Sequence, residues 1–326
     1  MFAVVGIAWW HWAVFIACVL VFLALDLGVF HRRAHAVGSR EALVWTGIWA
    51  GLALCFAAAL VPWRGEKESL EFLTGYLIEL SLSMDNVFVI ALIFAYFNIP
   101  SQHQHRVLFW GILGALAMRG LMIGVGVALI HLVHWLLYVM GAFVLYTGVK
   151  MMFVATTIRP EDNRIQRLVR QLYPVSPTLD GQKFTTQWQG RRALTPLALV
   201  LVMVETSDIV FAADSVPAIF AVTTKPFIIF TSNVFAILGL RSLYFVLANA
   251  LRQFRYLKTG LSLVLVFIGC KMLLDPHDLP PRGIQVDIPD SASFLVVGGI
   301  LLASLIASVL AARRRPPTVT KASDRQ

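Results

Sequence analysis

Apolar stretches about as long as a bilayer is thick recur along this chain, and they restrict its fold more than any other feature. A helix of about 20 residues crosses a hydrocarbon core of about 30 Å. Only helices and closed barrels satisfy their own backbone groups inside lipid. Nine such runs can be read, roughly 10–30, 42–62, 71–97, 107–129, 132–154, 195–222, 227–249, 257–275 and 292–312. The junction near His131 is the least distinct. The chain therefore reads as an all-α, polytopic membrane helix bundle of about nine transmembrane helices, with the lipid bilayer as its first partner. Its 14% of charged residues fits this, because soluble domains carry about 25%. Residues 1–30 have no Lys or Arg before their apolar run, and Arg32 and Arg33 follow it. That order suits a retained first helix better than a cleaved signal.

The placement of basic residues sets the expected orientation. Alternate loops and the tail hold nineteen Lys and Arg, against Arg64, Lys67, Lys225 and Arg282 in the others. Nine crossings with the N-terminus outside and the C-terminus in the cytoplasm satisfy this bias. The net charge of +9 sits in these loops. No nucleic-acid module accompanies it, so no nucleic-acid partner is expected. In the loop 155–194, Ile165, Leu168, Val169 and Leu172 alternate with Arg164, Arg167 and Arg170. That is a short basic amphipathic helix, suited to a lipid surface or to a solvated linker.

An internal repeat organises the rest. Asp85-Asn-Val-Phe88 matches Asp208-Ile-Val-Phe211. Arg119 follows Asp85 by 34 residues, and Arg241 follows Asp208 by 33. Gly148-Val-Lys150 and Gly269-Cys-Lys271 close the two units. Each unit holds three helices, an odd number, so the second enters the membrane from the opposite side. Inverted repeats of this kind place transporter sites near the midplane. The division is then 1–65, an N-terminal helix pair; 66–154, repeat 1; 155–194, the loop; 195–276, repeat 2; and 277–326, an outer loop, a last helix and a tail.

The chemistry resides in charges within the spans. The acids are Asp26, Glu79, Asp85, Glu205, Asp208 and Asp214, and the bases Arg119, Lys150, Arg241 and Lys271. Each costs about 2.5–3.5 kcal/mol at a helix centre, so they must face each other or water. Six acids against four bases leave two negative charges, enough for one divalent cation or for protons. The competing reading is that acids and bases pair only to hold the bundle together. Asp85, Asp208 and Asp214 are the first candidate ligands, Glu79 and Glu205 ligands or proton carriers, Asn86 and Asn233 neutral oxygen donors. Arg119, Arg241, Lys150 and Lys271 are the expected counter-ions, and Asp26 an accessory acid. Pro217 is expected to interrupt its helix and free carbonyl oxygens. This oxygen set suits Mg, Ca or Mn. The eight histidines lie in or near loops or span ends, and Cys18, Cys55 and Cys270 stand singly. The outer segment with Asp275, Asp278, Asp287 and Asp290 reads as a solvated acidic loop. No nucleotide-binding or hydrolase motif is present, so no catalytic residue, enzymatic activity or tightly bound cofactor is expected.

Three motif runs carry a family resemblance. They are Leu25-Asp26-Leu-Gly-Val-Phe30, Glu79-Leu-Ser-Leu-Ser-Met-Asp85-Asn-Val-Phe-Val, and Glu205-Thr-Ser-Asp208-Ile-Val-Phe-Ala-Ala-Asp214-Ser-Val-Pro, continued by Thr231-Ser-Asn-Val-Phe-Ala-Ile-Leu-Gly-Leu-Arg241. They resemble the TerC family, including its Alx-type members, over roughly residues 10–312. The resemblance implies a bacterial inner-membrane protein of a family named for tellurium resistance, exporting manganese, Mn(2+). In some members it implies help in metallating exported proteins, with secretion machinery or exported metalloproteins as partners. It places the family's membrane acids on Glu79, Asp85, Glu205, Asp208 and Asp214. Lys225-Pro226 departs from the family's Asp-Pro. The alternatives to transport are a non-transporting metallation partner and a tellurite or envelope-stress protein.

Overall fold

The computed structural model describes residues 7–28, 39–133, 135–153, 164–248, 256–274 and 288–313. Ten helices account for most of them: α1 Trp9–Gly28, α2 Ser39–Arg64, α3 Glu66–Tyr96, α4 Ser101–Leu132, α5 Leu136–Phe153, α6 Arg164–Leu172, α7 Pro196–Phe220, α8 Pro226–Ala248, α9 Leu257–Leu274 and α10 Asp290–Arg313. Among the described residues, eight helices are long and apolar enough to cross a membrane. The remaining apolar helix is α1, whose apolar stretch Trp9–Ala24 is shorter.

Two helices exceed the expected spans. Helix α3 has 31 residues and α4 has 32, about 46–48 Å at 1.5 Å per residue, so both project beyond the hydrocarbon. Residues 101–106, expected as loop, form the start of α4 behind Pro100 as N-cap. The indistinct junction near His131 is a true break, with Val133 extended at φ −137° and ψ 82°.

The packing obeys a two-fold pattern. Helix α3 packs on α8, α4 on α7, and α5 on α9. The first helix of each repeat thus meets the second of the other, and the third helices meet each other. Thr223 and Lys225, just after the C-terminal end of α7, bond to Glu71 near the N-terminal end of α3, so α3 and α7 run in opposite directions. The repeats are inverted. The duplicated Gly148 and Gly269 explain the α5–α9 contact. A Cβ at Gly148 would stand 2.8 Å from the backbone nitrogen of Val266, and one at Gly269 2.6 Å from that of Leu145. Glycine at both positions lets the two backbones approach.

Helix α8 is the centre of the bundle, with 94% of its apolar stretch buried against 11% in α10. The outward-facing Leu20, Val44, Leu54, Val125 and Leu302 are exposed, as lipid contact requires. Exposed Trp9, Trp10, Trp63, Trp135, Tyr173 and Tyr256 stand at or beside helix ends, with Trp110 and Tyr146 exposed within α4 and α5. Those at the ends match the aromatic belts of a membrane protein.

The loop before α7 is more ordered than a linker. Strands β1 Thr185–Trp188 and β2 Arg191–Leu194 pair antiparallel, with Trp188 opposite Arg191. Gln189 and Gly190 form the turn with φ of 53° and 72°, the left-handed pair that suits a two-residue hairpin. Thr195 then N-caps α7, its hydroxyl accepting from the Ala198 amide at 3.4 Å.

Candidate functional site

Residues Glu79, Ser83 and Asn86 recur at i, i+4 and i+7, so they share one face of α3. All three are buried. That face meets Arg119 of α4, Asp208 of α7 and Asn233 of α8. The Arg119 guanidinium makes an ion pair with Glu79. Its Nη2 lies 3.2 Å from Asp208 Oδ1, and its Nη1 donates to Asn233 Oδ1 at 3.1 Å. Asn233 Nδ2 donates to Glu79 Oε2 at 3.0 Å, and Asn86 Nδ2 to Asp208 Oδ1 at 3.4 Å. Four helices and both repeats thus meet at one guanidinium, which is 2% exposed. With both acids ionised the group carries one net negative charge.

The cluster is incompletely satisfied. Asp208 Oδ2, Asn86 Oδ1 and Ser83 Oγ are buried without a hydrogen-bond partner. A buried unsatisfied polar atom costs about 1–3 kcal/mol. Such oxygens favour a water, a proton or a hard cation. Ser83 was not among the expected site residues; its i+4 spacing from Glu79 was the signal available.

The other acids do not join this cluster. Asp85 is half-buried, turned about 100° from Asn86 by the helix, and subject to the charge of Lys258 in the first turn of α9. The Glu205 carboxylate lies directly over Gly114 of α4, in space that a Cβ would fill. Asp214 accepts a hydrogen bond from Thr147 of α5 at 3.3 Å. Helix α7 stays continuous through Pro217. Proline sits in the last turn, where losing one bond, to the Ala213 carbonyl, does not break the helix. Asp26 lies in the last turn of α1, its side chain outside the described residues. Among the described residues, no three acidic, histidine or cysteine side chains form a ready-made metal site.

The expected counter-ions also separate. Arg119 is the centre of the cluster. Arg241 is buried on α8, eight residues and so about 12 Å along the axis from Asn233. Lys150 is exposed, its ammonium 5.9 Å from the Tyr146 ring centre. Its repeat mate Lys271 is buried, donating to Ser293 Oγ at 2.8 Å and standing 3.6 Å from Asp290. The difference has a cause: α10, which lies outside the repeats, covers α9 and supplies Ser293 and Asp290.

A second polar group occupies the other end of α3. Arg64 pairs with Glu68 at 2.7 Å; Lys225 lies 3.3 Å from Glu68 and 3.0 Å from Glu71; Lys67 lies 3.7 Å from Asp290. Three of the four basic residues counted on the sparsely charged side are therefore held by acids. Asp290 belongs to this network; Asp275, Asp278 and Asp287 lie outside the described residues.

The family model described as integral membrane protein TerC family matches residues 64–316. An uncharacterized membrane protein of Myxococcus xanthus is 52% identical over 308 residues, covering 94% of this chain and 93% of its own. A protein of Escherichia coli strain K12, named as a candidate membrane-bound redox modulator, Alx, is 45% identical over 308 residues, covering 90% and 92%. An uncharacterized membrane protein of Rickettsia bellii is 37% identical, covering 92% and 97%. No solved structure matches the chain.

Proposed function

Because the chain belongs to the TerC family of integral membrane proteins, we propose that it exports a hard divalent cation, manganese first among them, from the cytoplasm of a bacterial cell. The observation that carries this reading is the pair Glu79 and Asp208. They come from oppositely oriented repeats and share one buried guanidinium, with carboxamides on both sides. In the cation-free state Arg119 is the internal counter-charge. An arriving ion displaces it and takes oxygens from Glu79, Asp208, Asn86 and Asn233. Asp85 lies six residues beyond Glu79 and Asp214 six beyond Asp208, each about 9 Å along helices of opposite direction. They flank the cluster on its two sides, as stations on the way in and out. Rocking of one repeat against the other alternates access. Protons move the other way, because neighbouring acids do not all ionise readily without the metal. The N-terminus lies outside and the C-terminus in the cytoplasm.

Support for oxygen chemistry over thiol chemistry comes from the cysteines. Cys18, Cys55 and Cys270 are free and stand on α1, α2 and α9, while the buried polar groups are carboxylates, carboxamides and a guanidinium. The redox name of the Alx relatives leads to the test of a second reading, a non-transporting partner that helps to metallate exported proteins. Purified protein in liposomes, with a manganese gradient and an internal indicator, separates the two. Transport predicts flux that Asp208→Asn abolishes. Manganese binding without flux would instead identify the metallation partner. Flux unchanged in Asp208→Asn would remove the cluster from the pathway.

A further inference from the structure

The collar formed by α6 and the β1–β2 hairpin has a face that the bundle does not cover. Leu168, Leu172 and Tyr173 are 53%, 66% and 61% exposed, whereas Gln166 on the other side of α6 is buried. The apolar stripe therefore points away from the protein. Arg167 beside the stripe and Arg170 on the far side of the helix are both exposed. Trp188, Arg191 and Arg192 are exposed on the hairpin, Trp188 paired across the strands with Arg191.

The collar is bonded to the membrane edge of α7. The Leu194 amide donates to the Pro174 carbonyl at 2.9 Å, just after α6, and the Ser176 amide to the Leu194 carbonyl at 2.8 Å. The Thr195 amide donates to the Phe184 carbonyl at 3.0 Å, and the Thr195 hydroxyl to the Lys183 carbonyl at 2.7 Å. The Arg106 guanidinium of α4 covers the Phe184 ring at 5.1 Å. These bonds hold the stripe, the tryptophan and the arginines at the level where α7 begins its crossing.

We propose that this collar is a docking surface for anionic lipid headgroups of the protein's own bilayer, with Leu168, Leu172, Tyr173 and Trp188 entering the acyl boundary. Charge complementarity selects the occupant. Residues 155–194 carry seven basic residues against Glu161, Asp162 and Asp180. The hydroxyl of Thr186 and then Lys183 hold the Asp180 carboxyl below the usual range. Asp180 and Lys183 thus neutralise each other, leaving six arginines against Glu161 and Asp162, a net charge of +4 in the loop. A basic helix with an apolar face lies in the headgroup plane, and clustered Arg and Lys beside a span bind anionic lipid. The inference does not depend on what the protein transports.

The test uses the full chain with Cys18, Cys55 and Cys270 replaced by alanine and Leu172→Cys carrying a polarity-sensitive fluorophore. It is reconstituted in phosphatidylcholine vesicles with or without phosphatidylglycerol, each lipid in turn brominated on its acyl chains. The expected result is blue-shifted emission quenched by brominated phosphatidylglycerol. Engagement should weaken about fivefold for each of Arg167→Gln and Arg170→Gln, from about 1 kcal/mol per basic residue at an anionic surface. Quenching that is equal in pure phosphatidylcholine and indifferent to the arginines overturns the anionic preference. A label left unquenched in both vesicles overturns lipid docking and assigns the face to water or to a protein partner.

Discussion

Replacing Arg119 by glutamine isolates what holds the cluster together. The substitution removes the ion pairs to Glu79 and Asp208 and the hydrogen bond to Asn233. Two carboxylates of the two repeats are then left buried without their cation. Removing one partner of a buried pair costs about 3–5 kcal/mol, and the variant should lose stability of that order in detergent with chelator present. If a divalent ion takes the place of the guanidinium, manganese at about 100 times its dissociation constant should return about 2.7 kcal/mol. The wild type should gain less, since Arg119 must first be displaced. Glu79→Gln with Arg119→Gln should be less destabilised than Arg119→Gln alone, because the second change removes a charge that the first left unpaired. Thermal unfolding of the three proteins, with chelator and with manganese, supplies every quantity needed. Equal manganese stabilisation of wild type and Arg119→Gln, or a loss under about 1 kcal/mol in chelator, would refute the surrogate-cation account.

Other consequences are more local. Gly269→Ala places a methyl 2.6 Å from the Leu145 nitrogen. That atom is backbone, so α5 and α9 must separate at a cost of about 1–3 kcal/mol. Gly239→Ala is the control, as its Cβ would meet only Trp49 at 3.8 Å; the two melting curves should differ clearly. Gly114→Ala pushes the flexible Glu205 carboxylate aside. Liposome flux should fall while the melting temperature holds, and Gly114→Ala with Glu205→Asp should recover flux by shortening the displaced side chain. Glu71→Gln removes the charge that faces Lys225 but retains an oxygen for Thr223. It should destabilise by roughly 1–2 kcal/mol, because Lys225 keeps Glu68 and is partly solvated; in a double-mutant cycle Glu71→Gln should cost less when Lys225→Met is already present, and strict additivity of the two melting shifts would show that the pair is not coupled.

A period or a spacing is legible in the sequence where it has one physical solution. Apolar runs of bilayer length become helices because lipid offers no other partner to the backbone. The register of Asp85, Arg119 and Lys150 against Asp208, Arg241 and Lys271 identified the repeat, and odd helix number made it inverted. The duplicated glycines were visible too, but only the α5–α9 crossing gives them their role. The hairpin was not legible: its turn is Gln189-Gly190, which lacks the usual asparagine or aspartate.

Local order thus determined that the chain crosses a membrane and how its halves are related. Only the tertiary structure decided which charges meet. Asp85 and Asp208 look equivalent along the chain, yet Asp208 faces Arg119 while Asp85 turns elsewhere. Lys150 and Lys271 look equivalent, yet one is exposed and the other lies under α10. A helix sets the angle at which a side chain leaves it, and sequence records that angle. What stands opposite depends on neighbours distant in sequence, including helices such as α10 that the repeat does not contain.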